Sequence, residues 1–476
     1  MLNCKHPRVL SQTDFVNKRR NNYERYMNMN RIGLSLLLAV GTVLGSHAQQ
    51  PLSLDSCRTL ALTNNKDLRI SQEKITAAHN QQKAASTNFL PKLDVMGTYM
   101  YTQKEISLLS DEQQQTLGAV GGAIGQGIVD ALQTDTRNLF AGTASLTQPL
   151  YMGGKIRAYH RLTRYAEQLA QAQHATQLQE VLLAIDEAYW QVVSLVNRKN
   201  LAESYLQSVK RLENDVTKMK SQGMVTKADE LSVMVKVNEA EVTLTQVDNG
   251  LSLAKMALCQ LCGLPMDTPV TLADEQLKDL PLPPASVESN VHTALSLRSE
   301  VKSLELAEQM YRQKIALTRS EFLPSVALSV NYLITNPALV NGFEKKFRGM
   351  WGVGVVVKVP VFHWGEGNYK VRAAKAEARI ARYQLDDAKE KIELQVSQST
   401  SKVNEAVQRL SMALKNMEKA EENLKYARLS FQEGVIPTSN VLEAQTAWLS
   451  AQSAKVDAQI DVKMSEVYLK KAMGTL

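Results

Sequence analysis

From Gly365 to Gly434 the chain runs without a proline and, once past Gly367, without another glycine. The residues between are rich in Ala, Glu, Lys, Gln, Leu and Arg, which lose least on entering a helix. Apolar or small side chains recur at Val371, Ala374, Ala378, Ala381, Leu385, Ala388 and Ile392. The register resumes at Val396, Val403, Ala406, Leu410, Ala413, Met417, Ala420 and Leu424. A seven-residue repeat held this long specifies helices packed side by side with a left-handed supercoil. At 1.5 Å per residue such a helix is roughly 100 Å long, wider than a globular core. The chain must build something long and multi-helical.

The same object occurs twice. Gly154 to Gly223 encloses 68 residues free of Gly and Pro, with apolar positions at Leu178, Leu182, Ile185, Tyr189, Val192 and Val196. Pro149 matches Pro360, Gly154 matches Gly365, Gly223 matches Gly434, Leu231 matches Leu442 and Gly263 matches Gly474, every pair 211 positions apart. Phe89-Leu90-Pro91 is echoed by Phe322-Leu323-Pro324 at a different offset, so the loops differ in length. This is an internal duplication. It divides the chain into 1–48 (a leader), 49–263 (first repeat), 264–285 (a Pro-rich connector) and 286–476 (second repeat).

Between the helical runs the period changes to two. Leu93, Val95, Gly97, Tyr99 and Tyr101 alternate with Asp94, Met96, Thr98, Met100 and Thr102, and a partner strand is expected over Asn138–Gln148. In the second half Val326, Leu328, Val330 and Tyr332 alternate with Ala327, Ser329 and Asn331. Their partner carries Trp351, Val353, Val355 and Val357. Each strand is about 10 residues, the length of a tilted membrane-crossing strand, with Tyr and Trp near the ends as in an aromatic girdle. Four strands cannot close a barrel, and open edges are not tolerated in lipid. Membrane-spanning strands here require several chains to share one barrel.

The remaining segments fit that plan. Gln103–Arg137 and Leu333–Gly349 read as external loops, the first rich in glycine and expected to be flexible or partly helical. Asn64-Asn65 should split a short helix from a longer one before the first strand. The helices returning from Gly223 and Gly434 are shorter than those arriving. Helices over about 66–89 and 286–321 are expected to make up the difference. Arg31 followed by the apolar run Ile32–Leu44 and by Ser46-His47-Ala48 reads as a secretory signal peptide with Gln49 as the mature start.

The leader also holds seven Lys/Arg and two Asp/Glu, leaving 48 of the 55 basic and 46 of the 48 acidic residues behind it. The formal charge of +7 is therefore no nucleic-acid footprint. Cys57, Cys259 and Cys262 form no even-numbered disulfide framework and read as small buried residues in helix seams. His79, His160, His174, His292 and His363 are scattered. No His-Glu-x-x-His, Gly-x-Ser-x-Gly or Gly-Lys-Ser/Thr motif accompanies them, so neither an enzyme, a metal site nor a cofactor is expected. A purely structural coiled coil would explain the heptads, but neither the paired strands nor the duplicated turns.

The duplicated helix–strand–strand–helix–helix plan resembles the TolC-like outer-membrane efflux proteins over about residues 52–474. The resemblance rests on the two Phe-Leu-Pro entries and on the turns Gln148-Pro149-Leu150-Tyr151-Met152-Gly153-Gly154 and Val359-Pro360-Val361-Phe362-His363-Trp364-Gly365. It rests also on the two glycine tips with a Leu eight positions on. It implies a mainly α homotrimer, with a periplasmic α-barrel of long helical hairpins and a small twelve-stranded β-barrel shared in the outer-membrane lipid. It implies as partners a periplasmic adaptor (membrane-fusion) protein and an inner-membrane pump of the RND type. The adaptor would meet the tips at Gly223, Met224, Val225, Gly434, Val435 and Ile436. Family members often narrow the aperture with aspartate rings; the matching positions are Asn440 and Glu443, with Asp229 in the first tip. Small-molecule efflux is the family's commoner use, and the sequence does not separate it from protein secretion by a type I system. The connector is expected to form the equatorial belt.

Overall fold

The computed structural model describes residues 51–103, 109–132, 137–275, 290–338 and 345–476. The signal peptide expected over 1–48, the connector residues 276–289 and parts of both external connections lie outside them. The chain divides into two units. In the smaller, whose described residues are 51–53 and Pro269–Ala273, Leu52 forms a parallel bridge with Leu272. The larger, Leu54–Thr268 with Asp274–Leu476, holds the helices and strands.

The first repeat comprises α1 (Leu54–Asn64), α2 (Lys66–Ser86), β1 (Lys92–Tyr101), α3 (Asp111–Leu132), β2 (Asn138–Met152), α4 (Lys155–Ser221) and α5 (Lys227–Cys262). The second comprises α6 (Val291–Leu297), α7 (Ser299–Ser320), β3 (Ser325–Asn336), β4 (Arg348–Lys358), α8 (Glu366–Gln432) and α9 (Thr438–Met473). The long helices α4 and α8 have 67 residues each, and the return helices α5 and α9 have 36 each. The seam of α8 buries Ala374, Ala381, Leu385, Ile392, Val396, Val403, Ala406 and Leu410, the heptad stripe of the sequence.

The short helices meet the ends of the return helices. Asn65 caps α2 by accepting from the N–H groups of Asp67 and Leu68, and its amide donates to Leu261 O at the end of α5 (3.1 Å). In the second repeat Arg298 donates to Lys471 O (3.1 Å) and Ala472 O (3.3 Å) at the end of α9. The expected helix over 286–321 is thus two helices broken at Arg298, because the guanidinium must reach carbonyls that no longer have helical partners. Gly263 and Gly474, both left-handed, end the return helices where a Cβ would lie 2.5 Å from Asn64 Cβ and 3.1 Å from Leu297 Cβ.

The strands form one antiparallel sheet in the order β1-β2-β3-β4. Its register places Leu93, Val95 and Tyr99 beside Leu146, Ala144 and Phe140, and Val326, Leu328, Val330 and Tyr332 beside Val357, Val355, Val353 and Trp351. Ala144 and Leu146 in turn face Tyr332 and Val330, so this face is apolar across all four strands. The opposite face is more polar, carrying Asp94, Thr98, Thr143, Ser145, Ser329 and Asn331, with Met96, Leu333 and Met350 forming one largely apolar row across it. Both edge strands, β1 and β4, are exposed along their whole length. β2 runs four residues beyond the expected Gln148, passing Pro149 by a shift in register. Of the connection between β1 and β2, expected to be flexible or partly helical, α3 is the helical part, kinked at Gly122.

Each long helix is entered through two successive left-handed residues, Gly153-Gly154 (φ 60° and 86°) in the first repeat and Trp364-Gly365 (φ 50° and 80°) in the second. A Trp in this conformation is strained. Its ring is solvent-facing and meets Phe362 edge to face at 4.8 Å, at the boundary between strand and helix where an aromatic girdle would sit.

Candidate functional site at the hairpin tips

The two helical hairpins, α4–α5 and α8–α9, end in turns that share one apolar cluster. Tyr205, Val209, Leu212 and Val216 of α4 pack with Val233, Val237 and Ala240 of α5, Phe431 of α8 and Val441 of α9. Both turns close as left-handed glycine caps. Gly223 N–H donates to Lys220 O and Met224 N–H to Met219 O (both 2.9 Å), while Gly434 N–H donates to Phe431 O and Val435 N–H to Ser430 O (both 2.9 Å). A pair of such bonds satisfies carbonyls that the helix end leaves open.

The six tip residues therefore separate by role. Gly223 and Gly434 supply the turn conformation, with φ of 75° and 71°. Val225 and Ile436 pack against the shared cluster. Met224 and Val435, at matching places in the two repeats, face outward with 58% and 74% of their surface exposed. Of the six, these two expose the most apolar surface.

The aperture candidates also separate. Asp229 is the third residue of α5. Its carboxylate accepts from the N–H (2.9 Å) and hydroxyl (2.6 Å) of Thr226, and Thr226 Oγ1 accepts from Asp229 N–H (3.2 Å). This is a reciprocal capping box. The Thr226 bonds hold the Asp229 carboxyl below its ordinary value. Asn440 and Glu443 lie exposed in the first turns of α9.

A charged cluster beside Asp229 escaped the sequence reading. Glu230 is buried, with Lys220 Nζ 2.7 Å away across the turn and Lys227 Nζ in direct contact. Lys220 first and then Lys227 hold its carboxyl below the ordinary range. The Lys227–Glu230 spacing is visible in sequence as an i,i+3 pair; the reach from Lys220 appears only once the turn is closed. The matching residue of the second tip is Val441, buried in the apolar cluster.

The signs of these shifts set a pH dependence. Both carboxyls titrate lower folded than unfolded, so their contribution is complete above the ordinary values of 3.8 and 4.5. It is lost as pH falls through the lowered folded-state values. A spin label at Met224→Cys is expected to stay ordered from pH 8 to 5 and become mobile near pH 3. Asp229→Ala, which removes a cap worth about 1 kcal/mol, should make it more mobile at neutral pH as well.

Three histidines bridge α2 and α4 away from the tips. His174 Nδ1 lies 2.6 Å from Ser71 Oγ, His79 Nδ1 2.8 Å from Glu167, and His160 Nε2 3.2 Å from the Gln82 amide. Each occupies its own level. Among the described residues no three metal-ligating side chains converge, and no helix is long and apolar enough to cross a membrane.

Comparison with known proteins bears on this architecture. The family model described as "Outer membrane efflux protein" matches residues 58–264 and 290–475, one stretch per repeat. The alkaline protease secretion protein AprF of Pseudomonas aeruginosa is 24% identical over 362 residues, covering 73% of this chain and 74% of that one. The outer membrane protein TolC of Escherichia coli is 20% identical over 453 residues, covering 93% and 86%. Among solved structures, the outer membrane protein VceC of Vibrio cholerae superposes with a TM-score of 0.71 at 17% identity, over 88% of this chain and 96% of that one. With both repeats matched, and the sheet, the hairpins and their tips in the same plan, the chain belongs to the outer membrane efflux protein family.

Proposed function

We propose that the chain is the passive outer-membrane exit duct of a tripartite export system, assembled as a homotrimer and driven by an inner-membrane pump through a periplasmic adaptor. The observation that carries this reading is the sheet. It has one apolar and one more polar face, and its edge strands β1 and β4 each have a single neighbour, so it is complete in lipid only when copies join edge to edge. Three copies of four strands give a small barrel, and the long hairpins then stand as a helical tube on its periplasmic side. The family is one of channels rather than enzymes.

Small-molecule efflux by a pump of the RND type is the reading we favour. Export of a protein by a type I system is the second, favoured by the match to a relative named for alkaline protease secretion. Deleting the gene and measuring both intracellular dye accumulation and the secreted protein profile separates them. Dye retention with an unchanged secretome supports efflux; a missing secreted protein with unchanged dye supports secretion. Neither change would overturn the duct.

At the tips, Met224 and Val435 are the proposed adaptor contacts, and Asn440 with Glu443 the proposed constriction. Glu443 repeated three times around an axis concentrates negative charge and favours cations. Asp229 serves first as a helix cap. The double variant Met224→Glu/Val435→Glu should lower adaptor capture at least tenfold while leaving trimer yield unchanged. Equal capture by both proteins would remove the tips from the contact.

A further inference from the structure

The first repeat begins and ends on cysteines that meet. Cys57 lies in α1 and Cys262 is the last residue of α5, with 0% and 1% of their surfaces exposed. Cys262 Sγ lies 3.7 Å from Cys57 O and donates to it, which sets the last turn of α5 against the α1 cysteine. Cys259, one turn earlier, faces elsewhere, with its Sγ 3.8 Å from Thr268 O. The geometry thus selects one pair out of three cysteines. The second repeat closes the equivalent junction without cysteine: Ala294, Ala472 and Met473 pack there, and Arg298 reaches the carbonyls of α9.

We propose that Cys57 and Cys262 become a disulfide after export, tying the first helix of the repeat to the end of its last. The inference rests on the outer-membrane reading, because only an exported chain meets an oxidising compartment. The oxidant is a protein disulfide of the periplasm. The Cys57 thiolate attacks one of its sulfurs, forming a mixed disulfide and releasing the other sulfur as a thiolate. The Cys262 thiolate then attacks Cys57 Sγ, forming the Cys57–Cys262 bond and expelling the oxidant's second thiol. Two protein thiols are oxidised, one disulfide is reduced, and two protons pass to the released sulfurs.

Two consequences follow from position and burial. The loop closed by the bond contains α2, β1, α3, β2, α4 and α5, so it constrains nearly all of the first repeat in the unfolded state, where a cross-link acts most strongly. Both sulfurs are sealed in the native fold, so the bond must close during folding and then resist reduction. Cys259 remains a thiol.

The test uses the trimer isolated from the outer membrane, denatured in excess N-ethylmaleimide and weighed intact. One adduct per mature chain, with a Cys57–Cys262 peptide in the non-reduced digest, is the expected result. Prior treatment with a phosphine reductant should leave the count at one in the native trimer and raise it to three after denaturation. Cys57→Ser should give two adducts and Cys259→Ala none. Three adducts on outer-membrane protein, or a peptide linking Cys259, would overturn the tie while leaving the duct intact. Finding the wild-type chain retained in the cytoplasm would overturn the export reading and the tie with it.

Discussion

Replacing Arg58 by alanine is expected to cost about 3–5 kcal/mol, the penalty for stranding a buried charge. The charge is Asp186 in α4, whose side chain is wholly buried. Arg58 of α1 grips both of its oxygens, Nε at 2.8 Å and Nη2 at 2.5 Å. Nothing of this is available from Asp55, which touches the same guanidinium at 3.5 Å but is 91% exposed. Asp55→Ala should therefore change stability by less than about 1 kcal/mol. The double variant Arg58→Met/Asp186→Leu should recover most of the loss, because an apolar pair replaces a buried ion pair at little cost. Thermal and denaturant unfolding of the detergent-solubilised protein reads all three. A loss from Arg58→Ala no larger than from Asp55→Ala would mean that α1 is not held through this pair.

The second large effect is expected at the entrance to α4. Gly153 has φ +60°, and a Cβ there would sit 2.7 Å from Leu323 Cβ and 2.9 Å from Ser320 O. Gly153→Val must bear both the left-handed conformation, about 1–2 kcal/mol, and a collision with the end of α7. Loss of at least about 3 kcal/mol is expected, seen as a collapse in the yield of assembled protein. Gly154→Ala is the control. Gly154 has φ +86° but open space around it, so only the conformational cost of about 1–2 kcal/mol applies. Similar losses from the two variants would show that the close approach of α7 is unimportant. The second repeat places Trp364 where the first has Gly153, at φ 50°, and so carries the strain in exchange for an exposed aromatic beside Phe362.

The duplication and the alternating strands were legible because they rest on periods, and periods survive any detail of packing. The α8 stripe is the clearest instance: all its buried residues but Ser399 and Phe431 are among the heptad positions read from the sequence. In α4 the stripe is only part of the story. Asp186, Trp190, Val193 and Ser194 are buried off it, since α4 packs against α1, α2, α5, α7 and α9. How many neighbours a helix has is a tertiary fact that no single-helix pattern encodes. The break at Arg298 was missed for a similar reason, its cause being carbonyls more than 170 residues away.

The tips show the same division. Glycine positions placed both turns correctly. They did not distinguish Val225 and Ile436, which pack inward, from Met224 and Val435, which face out. Asp229 and Glu230 looked alike as neighbouring acids in a first turn. The fold gives one to Thr226 as a cap and the other to Lys220 and Lys227 as a clamp.

The most direct test of a shared barrel leading into a helical tube is the ion conductance of the detergent-extracted trimer in a planar bilayer, wild type against Glu443→Ala. Discrete, cation-selective steps are expected from the wild type. Steps that enlarge or lose selectivity in the variant would place the constriction in the first turns of α9. The absence of steps from both proteins, once inserted, would contradict the duct.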